Sequence, residues 1–164
     1  DELLKQIKIE KKNLNSKIPI VLKIAPDIND KEIEKISEIL LSNDIEAIII
    51  SNTSDETREK LKDIQKHQKG GLSGKPLEDK TNLLISKFYN NFKNKIKIIG
   101  VGGVDTGLSA YNKFLSGADL IQLYTGMVYK GPNIVNLIKN DLSELLLKDG
   151  VKNFKEIIGK KTKT

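Results

Sequence analysis

Four short apolar runs, each closed by turn or polar residues and followed by a stretch of helical period, constrain this chain more than any other feature. They lie at 18–25, 45–51, 95–101 and 118–125 and are rich in Ile, Val and Leu. Two are nearly continuous, Ala47-Ile48-Ile49-Ile50 and Ile96-Lys97-Ile98-Ile99. Such runs read as strands buried on both faces, as in a parallel sheet. Between them, residues 32–41 place Ile33, Ile36, Ile39 and Leu40 on one helical face, and 77–92 group Leu84, Phe88 and Phe92. Residues 108–115 repeat Leu108, Tyr111, Phe114 and Leu115; residues 134–147 repeat Ile134, Leu137, Ile138, Leu142, Leu145 and Leu146. A charged, helix-like segment opens the chain, and a short last helix is predicted over 151–158, after Gly150. Alternating β and α segments imply parallel strands joined by crossovers, an α/β fold. Four βα units fit either an open doubly wound sheet or half of a (βα)8 barrel. A complete barrel takes about 250 residues, and this chain has 164.

Composition removes several chemistries. With no cysteine, a disulfide framework, a Cys-ligated metal and a cysteine nucleophile are excluded. The single histidine, His67, excludes a His-pair metal site, and no metal site is expected. His67 falls in the polar stretch 54–69, which reads as a loop with a helical turn through 56–64, and there it is expected to be solvated. No run approaches the roughly 20 apolar residues of a membrane span, and no targeting signal is legible. The chain opens on Asp1 without Met, as if cut from something longer. A net charge of +6 admits a nucleic-acid or acidic-membrane partner. However, Arg58 is the only arginine, aromatics are 5%, and the lysines alternate with Glu and Asp along the helices. That pattern fits solvated helix faces, not groove readout, so no nucleic-acid partner is expected.

In parallel α/β folds ligands meet the carboxyl ends of the strands. The first run carries Lys23 amid apolar residues, followed by Ala25-Pro26-Asp27. A lysine buried in a strand is costly unless partnered, so Lys23 is either ion-paired or snorkelling, or it is a cation aimed at an anionic ligand. The second run ends Ser51-Asn52-Thr53, residues that either cap a turn or hold a polar substrate. The third ends Gly100-Val101-Gly102-Gly103-Val104 and leads into a helix, where glycines let backbone N–H groups approach an anion. The fourth ends Tyr124-Thr125-Gly126. Two adjacent glycine-bearing strand ends match the phosphate site found after strands seven and eight of many barrels; either one alone is equally a tight turn. Gly70-Gly71-Leu72-Ser73-Gly74-Lys75-Pro76 lacks the spacing of a nucleotide-triphosphate loop, yet its glycines imply unusual backbone angles or close approach.

Taken in order, Val21-Leu22-Lys23-Ile24-Ala25-Pro26-Asp27, Ser51-Asn52-Thr53, Gly70-Gly71-Leu72-Ser73-Gly74, Gly100-Val101-Gly102-Gly103-Val104 and Gly117-Ala118-Asp119 through Gln122-Leu123-Tyr124-Thr125-Gly126 resemble dihydroorotate dehydrogenase. The Lys-Ile-Ala-Pro-Asp and Gln-Leu-Tyr-Thr runs resemble the class 2, quinone-dependent form in particular. The resemblance runs from about Pro19 to Gly159. It implies a flavin mononucleotide (FMN) enzyme on a (βα)8 TIM barrel, of which this chain supplies about the last four βα units. Such an enzyme oxidises dihydroorotate to orotate in pyrimidine biosynthesis and passes electrons to a quinone.

By that likeness Lys23 would contact the flavin ring and stabilise negative charge on its reduced form. Ser51, Ser73 and Gly74 would line the flavin, and Val101, Gly102, Gly103, Tyr124 and Thr125 would hold its phosphate, largely through backbone N–H groups. Asn52 and Thr53 would hydrogen-bond the orotate. Where the family usually has Asn-Thr-Thr, this chain has Asn52-Thr53-Ser54. The family's catalytic base, a serine in class 2, lies in the amino-terminal half. None of Ser37, Ser42, Ser51, Ser73 and Ser109 sits in its motif, so no residue of this chain is nominated as base. The implied partner is therefore the amino-terminal half of the same protein, and the chain alone is expected to be inactive. Attachment to the mitochondrial inner membrane, as the family implies, would come only through segments absent here. Two other readings share the strand-end motifs: another FMN barrel, of dihydropyrimidine dehydrogenase or dihydrouridine synthase type, and an inactive phosphate-binding half barrel.

Overall fold

The computed structural model describes residues 2–56, 58–59 and 61–162. Helix α1 (Glu2–Asn13) is followed by β1 (Val21–Ile24), α2 (Asp30–Ser42), β2 (Ala47–Ile50), α3 (Glu78–Phe92), β3 (Lys97–Gly100), α4 (Gly107–Ser116), β4 (Leu120–Ile121), α5 (Thr125–Lys130) and α6 (Ile134–Lys148). The strands form one parallel sheet in the order β1-β2-β3-β4. Strand order equal to chain order is the arrangement of consecutive units in a (βα)8 barrel, whereas an open doubly wound sheet reverses direction at a switch point.

One face of the sheet makes the core. Ile24, Ile48, Ile50 and Ile98 pack against Ile33 and Leu40 of α2 and Leu84, Ile85, Phe88 and Phe92 of α3. Ile48, Ile50, Ile85 and Phe88 are wholly buried, each contributing about 1.5–3 kcal/mol of transfer free energy. A second cluster joins Val104, Ala110, Ile134 and Ile138 where α4 meets α6. Local sequence sets the helix ends. Asn29 and Glu32 form a reciprocal capping box on α2, and Thr106 with Ser109 does the same on α4. Gly117, at φ +115°, ends α4 in the left-handed region.

The opposite face corrects the expectation of strands buried on both sides. Register places Lys23, Ile49, Ile99 and Leu120 in one row across it, and no helix of the described residues covers that row. Leu120 is accordingly 59% exposed, and Lys23 is exposed rather than buried. Within this chain Lys23 is therefore not buried: alternation along β1 turns it away from the helices. The expected last helix over 151–158 is only a 3₁₀ turn at Phe154–Ile157, capped by Asn153 and too short for an α-helical ladder. The turn expected through 56–64 lies partly outside the described residues, at 57 and 60; the described turn is Ile64–His67, and His67 is exposed as expected. Helix α5 was not expected, because its six residues carry no helical period.

Candidate functional site

All the strands point their carboxyl ends at one cavity of about 770 Å³, within the range of ordinary small-molecule sites. Lys23 and Ser51-Asn52-Thr53 line it from the ends of β1 and β2. Ser73 and Gly74 line it from the loop between β2 and α3, Val101, Gly102 and Gly103 from the end of β3, and Tyr124 and Thr125 from the end of β4. The eleven residues singled out in the sequence thus share one cavity, although 102 positions separate the first from the last.

The loop over 70–74 stitches the two sides of the cavity together. Ser54 and Leu72 exchange backbone hydrogen bonds of 3.0 and 2.7 Å. A Cβ on Gly71 would stand 1.9 Å from Thr53 Oγ1, so only glycine lets the loop lie this close to Thr53. At the other end, Thr125 Oγ1 donates to Ser73 Oγ at 2.9 Å. Below, Asp27 anchors the loop after β2. One carboxylate oxygen accepts from Ser54 Oγ at 2.6 Å and pairs with Lys80, and the other accepts from the Asp55 N–H at 2.9 Å. Burial pushes the Asp27 carboxyl up, but the Lys80 ammonium, the Ser54 hydroxyl and the Asp55 N–H outweigh it and hold it below the usual value.

Gly102-Gly103 and Tyr124-Thr125 bring the ends of β3 and β4 to the cavity wall. Gly103 sits at φ +76°, and a Cβ there would come within 2.4 Å of Glu78 Cβ and 2.9 Å of Glu78 N, so the loop is pressed onto the first turn of α3. Among the described residues the N–H groups of Gly102, Gly103, Tyr124 and Thr125 have no protein acceptor. Val101 differs: its N–H is spent on the Ile50 carbonyl, so it can line a ligand but not donate to it. Ser51 is similar, being 3% exposed with its hydroxyl given to the Asn52 carbonyl at 2.8 Å. Asn52 and Thr53 keep exposed side chains.

The sequence did not single out the charged rim of this cavity. Lys75 bridges Glu78 at 2.5 Å and Asp105 at 3.4 Å, and Lys130 donates to the Asp105 carbonyl at 2.9 Å. Pairing with Glu78 outweighs desolvation and holds the Lys75 ammonium above its ordinary value. The available signal was Gly-Lys-Pro and Lys-Gly-Pro at 74–76 and 130–132, two lysines each flanked by chain-turning residues. No cluster of metal-ligating side chains occurs among the described residues.

Consecutive parallel βα units that bring glycine-bearing loops to one cavity at their carboxyl ends define a segment of a (βα) barrel. Comparison with known proteins makes the class particular. The family model for dihydroorotate dehydrogenase matches residues 1–146. The chain is 41% identical over 150 residues to a dihydroorotate dehydrogenase (quinone) of Bartonella tribocorum, covering 91% of this chain and 41% of that protein. It is 42% identical over 146 residues to the enzyme of that name from Buchnera aphidicola, covering 87% and 44%. Among solved structures, a ligand-free DHODH from Eimeria tenella superposes with a TM-score of 0.83 at 35% identity, covering 85% of this chain and 39% of that one. The same organism's DHODH in complex with ferulenol gives 0.85 at 34%, covering 89% and 39%. This chain belongs to the dihydroorotate dehydrogenase family. It spans about two fifths of the length of the relatives it matches.

Proposed function

We propose that this chain forms the carboxyl-terminal half of a quinone-dependent dihydroorotate dehydrogenase, residues 1–164 being one half-barrel unit that carries most of an FMN site. The observation that carries the reading is the one cavity to which four strand ends and the loop over 70–74 deliver the eleven residues. The fit to FMN rests on the four N–H groups without protein acceptors and on the Gly103 contact, which leaves no space for a side chain at that turn. A phosphate seated there would take hydrogen bonds from Gly102, Gly103, Tyr124 and Thr125. Lys23, exposed on the open face of the sheet, would meet the ring system as a cation. Ser51, Ser73, Gly74 and Val101 would wall the ring, and Asn52 and Thr53 would hydrogen-bond dihydroorotate or orotate. When bound, FMN supplies the two-electron chemistry that links dihydroorotate oxidation to quinone reduction.

No residue of this chain is assigned as the base. The amino-terminal half of the same protein would supply it, together with any attachment to a membrane, the mitochondrial inner membrane included. No helix of the described residues is long and apolar enough to cross one. Titration of FMN into the full-length polypeptide carrying this segment, followed by quenching of flavin fluorescence, is expected to saturate at one FMN per chain. Absence of saturable binding would overturn the assignment.

A further inference from the structure

Lys113 is a fully buried lysine that forms no salt bridge with a carboxylate among the described residues. It leaves α4 at 0% exposure, and its Cδ lies 3.1 Å from where a Cβ on Gly100 would stand, so the side chain passes under the glycine that ends β3. Its ammonium donates to Thr81 Oγ1 at 2.8 Å and to Asn82 Oδ1 at 2.9 Å, both neutral groups on α3. Thr81 in turn touches the glycine loop: its Oγ1 is 3.4 Å from the Gly102 carbonyl oxygen, and its methyl lies 3.0 Å from where a Gly102 Cβ would stand. One side chain therefore separates the buried cation from the back of the Gly102-Gly103 turn.

The surrounding charges do not neutralise it. Glu78 and Asp79 act on Lys113 favourably, but Glu78 is already bridged by Lys75, itself a repelling cation. Among the described residues no carboxylate forms a salt bridge with Lys113. Burying an ammonium against neutral ligands is costly, and an apolar side chain of similar length would join α3 to α4 at least as well. Desolvation lowers the ammonium to about 8, and Thr81 Oγ1 and Asn82 Oδ1 both stand as acceptors facing it.

We propose that Lys113 is a positioning residue for the phosphate group: a cation held behind the Gly102-Gly103 loop whose field, in a region of low dielectric, favours a dianion in front of it. The proposal rests on the reading of this loop as the FMN phosphate site, and it assigns the charge that the N–H groups alone do not provide. A phosphate held by that loop would not touch Lys113, because the loop and Thr81 stand between them.

The test compares FMN with riboflavin, which carries the same ring and no phosphate, binding to the full-length polypeptide by fluorescence titration. Lys113→Met removes the charge at similar volume. Asn82→Asp leaves the lysine in place and sets a carboxylate against its ammonium. Both variants are expected to lose roughly tenfold in FMN affinity while riboflavin affinity stays within about twofold. A purely structural Lys113 predicts the opposite for Asn82→Asp, since the new ion pair would strengthen the α3–α4 contact and leave the FMN preference intact. Equal loss of both ligands, or an unchanged preference in Asn82→Asp, would overturn the proposal, whether or not Lys113→Met folds. A parent protein that binds FMN and riboflavin equally would instead overturn the phosphate-site reading itself.

Discussion

Gly103 shows how a single hydrogen atom decides what the site can hold. Its φ of +76° and the 2.4 Å approach that a Cβ would make to Glu78 leave no other residue compatible with the turn. Gly103→Ala is expected to cost about 2–4 kcal/mol in denaturant unfolding and to weaken FMN by at least roughly tenfold, as two of the four N–H groups proposed to hold its phosphate move with the loop. Unaltered stability in Gly103→Ala would show that the turn is looser than its geometry. Asp27 acts at the same scale on the loop bearing Asn52 and Thr53. Its carboxyl is held below the ordinary 3.8, so the stabilisation it gives is present above that pH and lost as pH falls through the lower folded value. Asp27→Asn is expected to lose about 1.5–3 kcal/mol at pH 7, with the gap to the parent protein narrowing below about pH 4 in acid-denaturation curves. Much of this scale was legible: the strand-end residues were found because glycine pairs and polar triplets interrupt apolar runs. The exposure of Lys23 was not legible, because period-two alternation gives the face on which a side chain lies, but not whether anything covers that face.

Between elements, α4 and α6 pack so closely that a Cβ on Gly107 would stand 2.2 Å from Asp141 Cβ. The contact is closed at its far end by the Tyr111 hydroxyl, which donates to the Asp149 carboxylate. That hydrogen bond, with burial and the carboxylate's charge, pushes the Tyr111 hydroxyl up to about 12. The folded protein therefore holds this proton more tightly than the unfolded chain, whose value is 10.0. The resulting stability is complete below pH 10 and is lost as pH rises from there through 12. Tyr111→Phe is expected to remove that alkaline component, seen as a flatter melting-temperature profile between pH 9 and pH 12 measured by circular dichroism; a profile as steep as the parent's would contradict the assignment. The long helices were legible because Phe88 and Phe92, or Ile134 and Ile138, recur at helical spacing. Helix α5 and the 3₁₀ turn at Phe154–Ile157 were not, because one or two turns hold too few residues to display a period.

At the scale of the molecule the sheet has two unlike faces, and the difference is the strongest reason to read this chain as part of a barrel. One face is sealed by α2 and α3, and the other presents Lys23, Ile49, Ile99 and Leu120 in a row. In a closed (βα)8 barrel such a row is interior, layered against the strands of the other half. The cavity opens at the end of that same face, with Lys23 exposed and Tyr124 77% exposed. On the reading proposed above, the cavity residues of this chain would form part of a site whose remaining wall, base included, would come from the other half. Charge and cysteine content could not reveal this; it followed from the order of the strand-end motifs, which fix what each strand delivers. The direct measurement is dihydroorotate-dependent quinone reduction by the purified 164-residue chain, alone and after reconstitution with FMN and the separately expressed amino-terminal half. The chain alone is expected to give no turnover and the two halves combined to give turnover; turnover by the chain alone, or none by a folded, FMN-loaded combination of the halves, would show that the site is not divided between them.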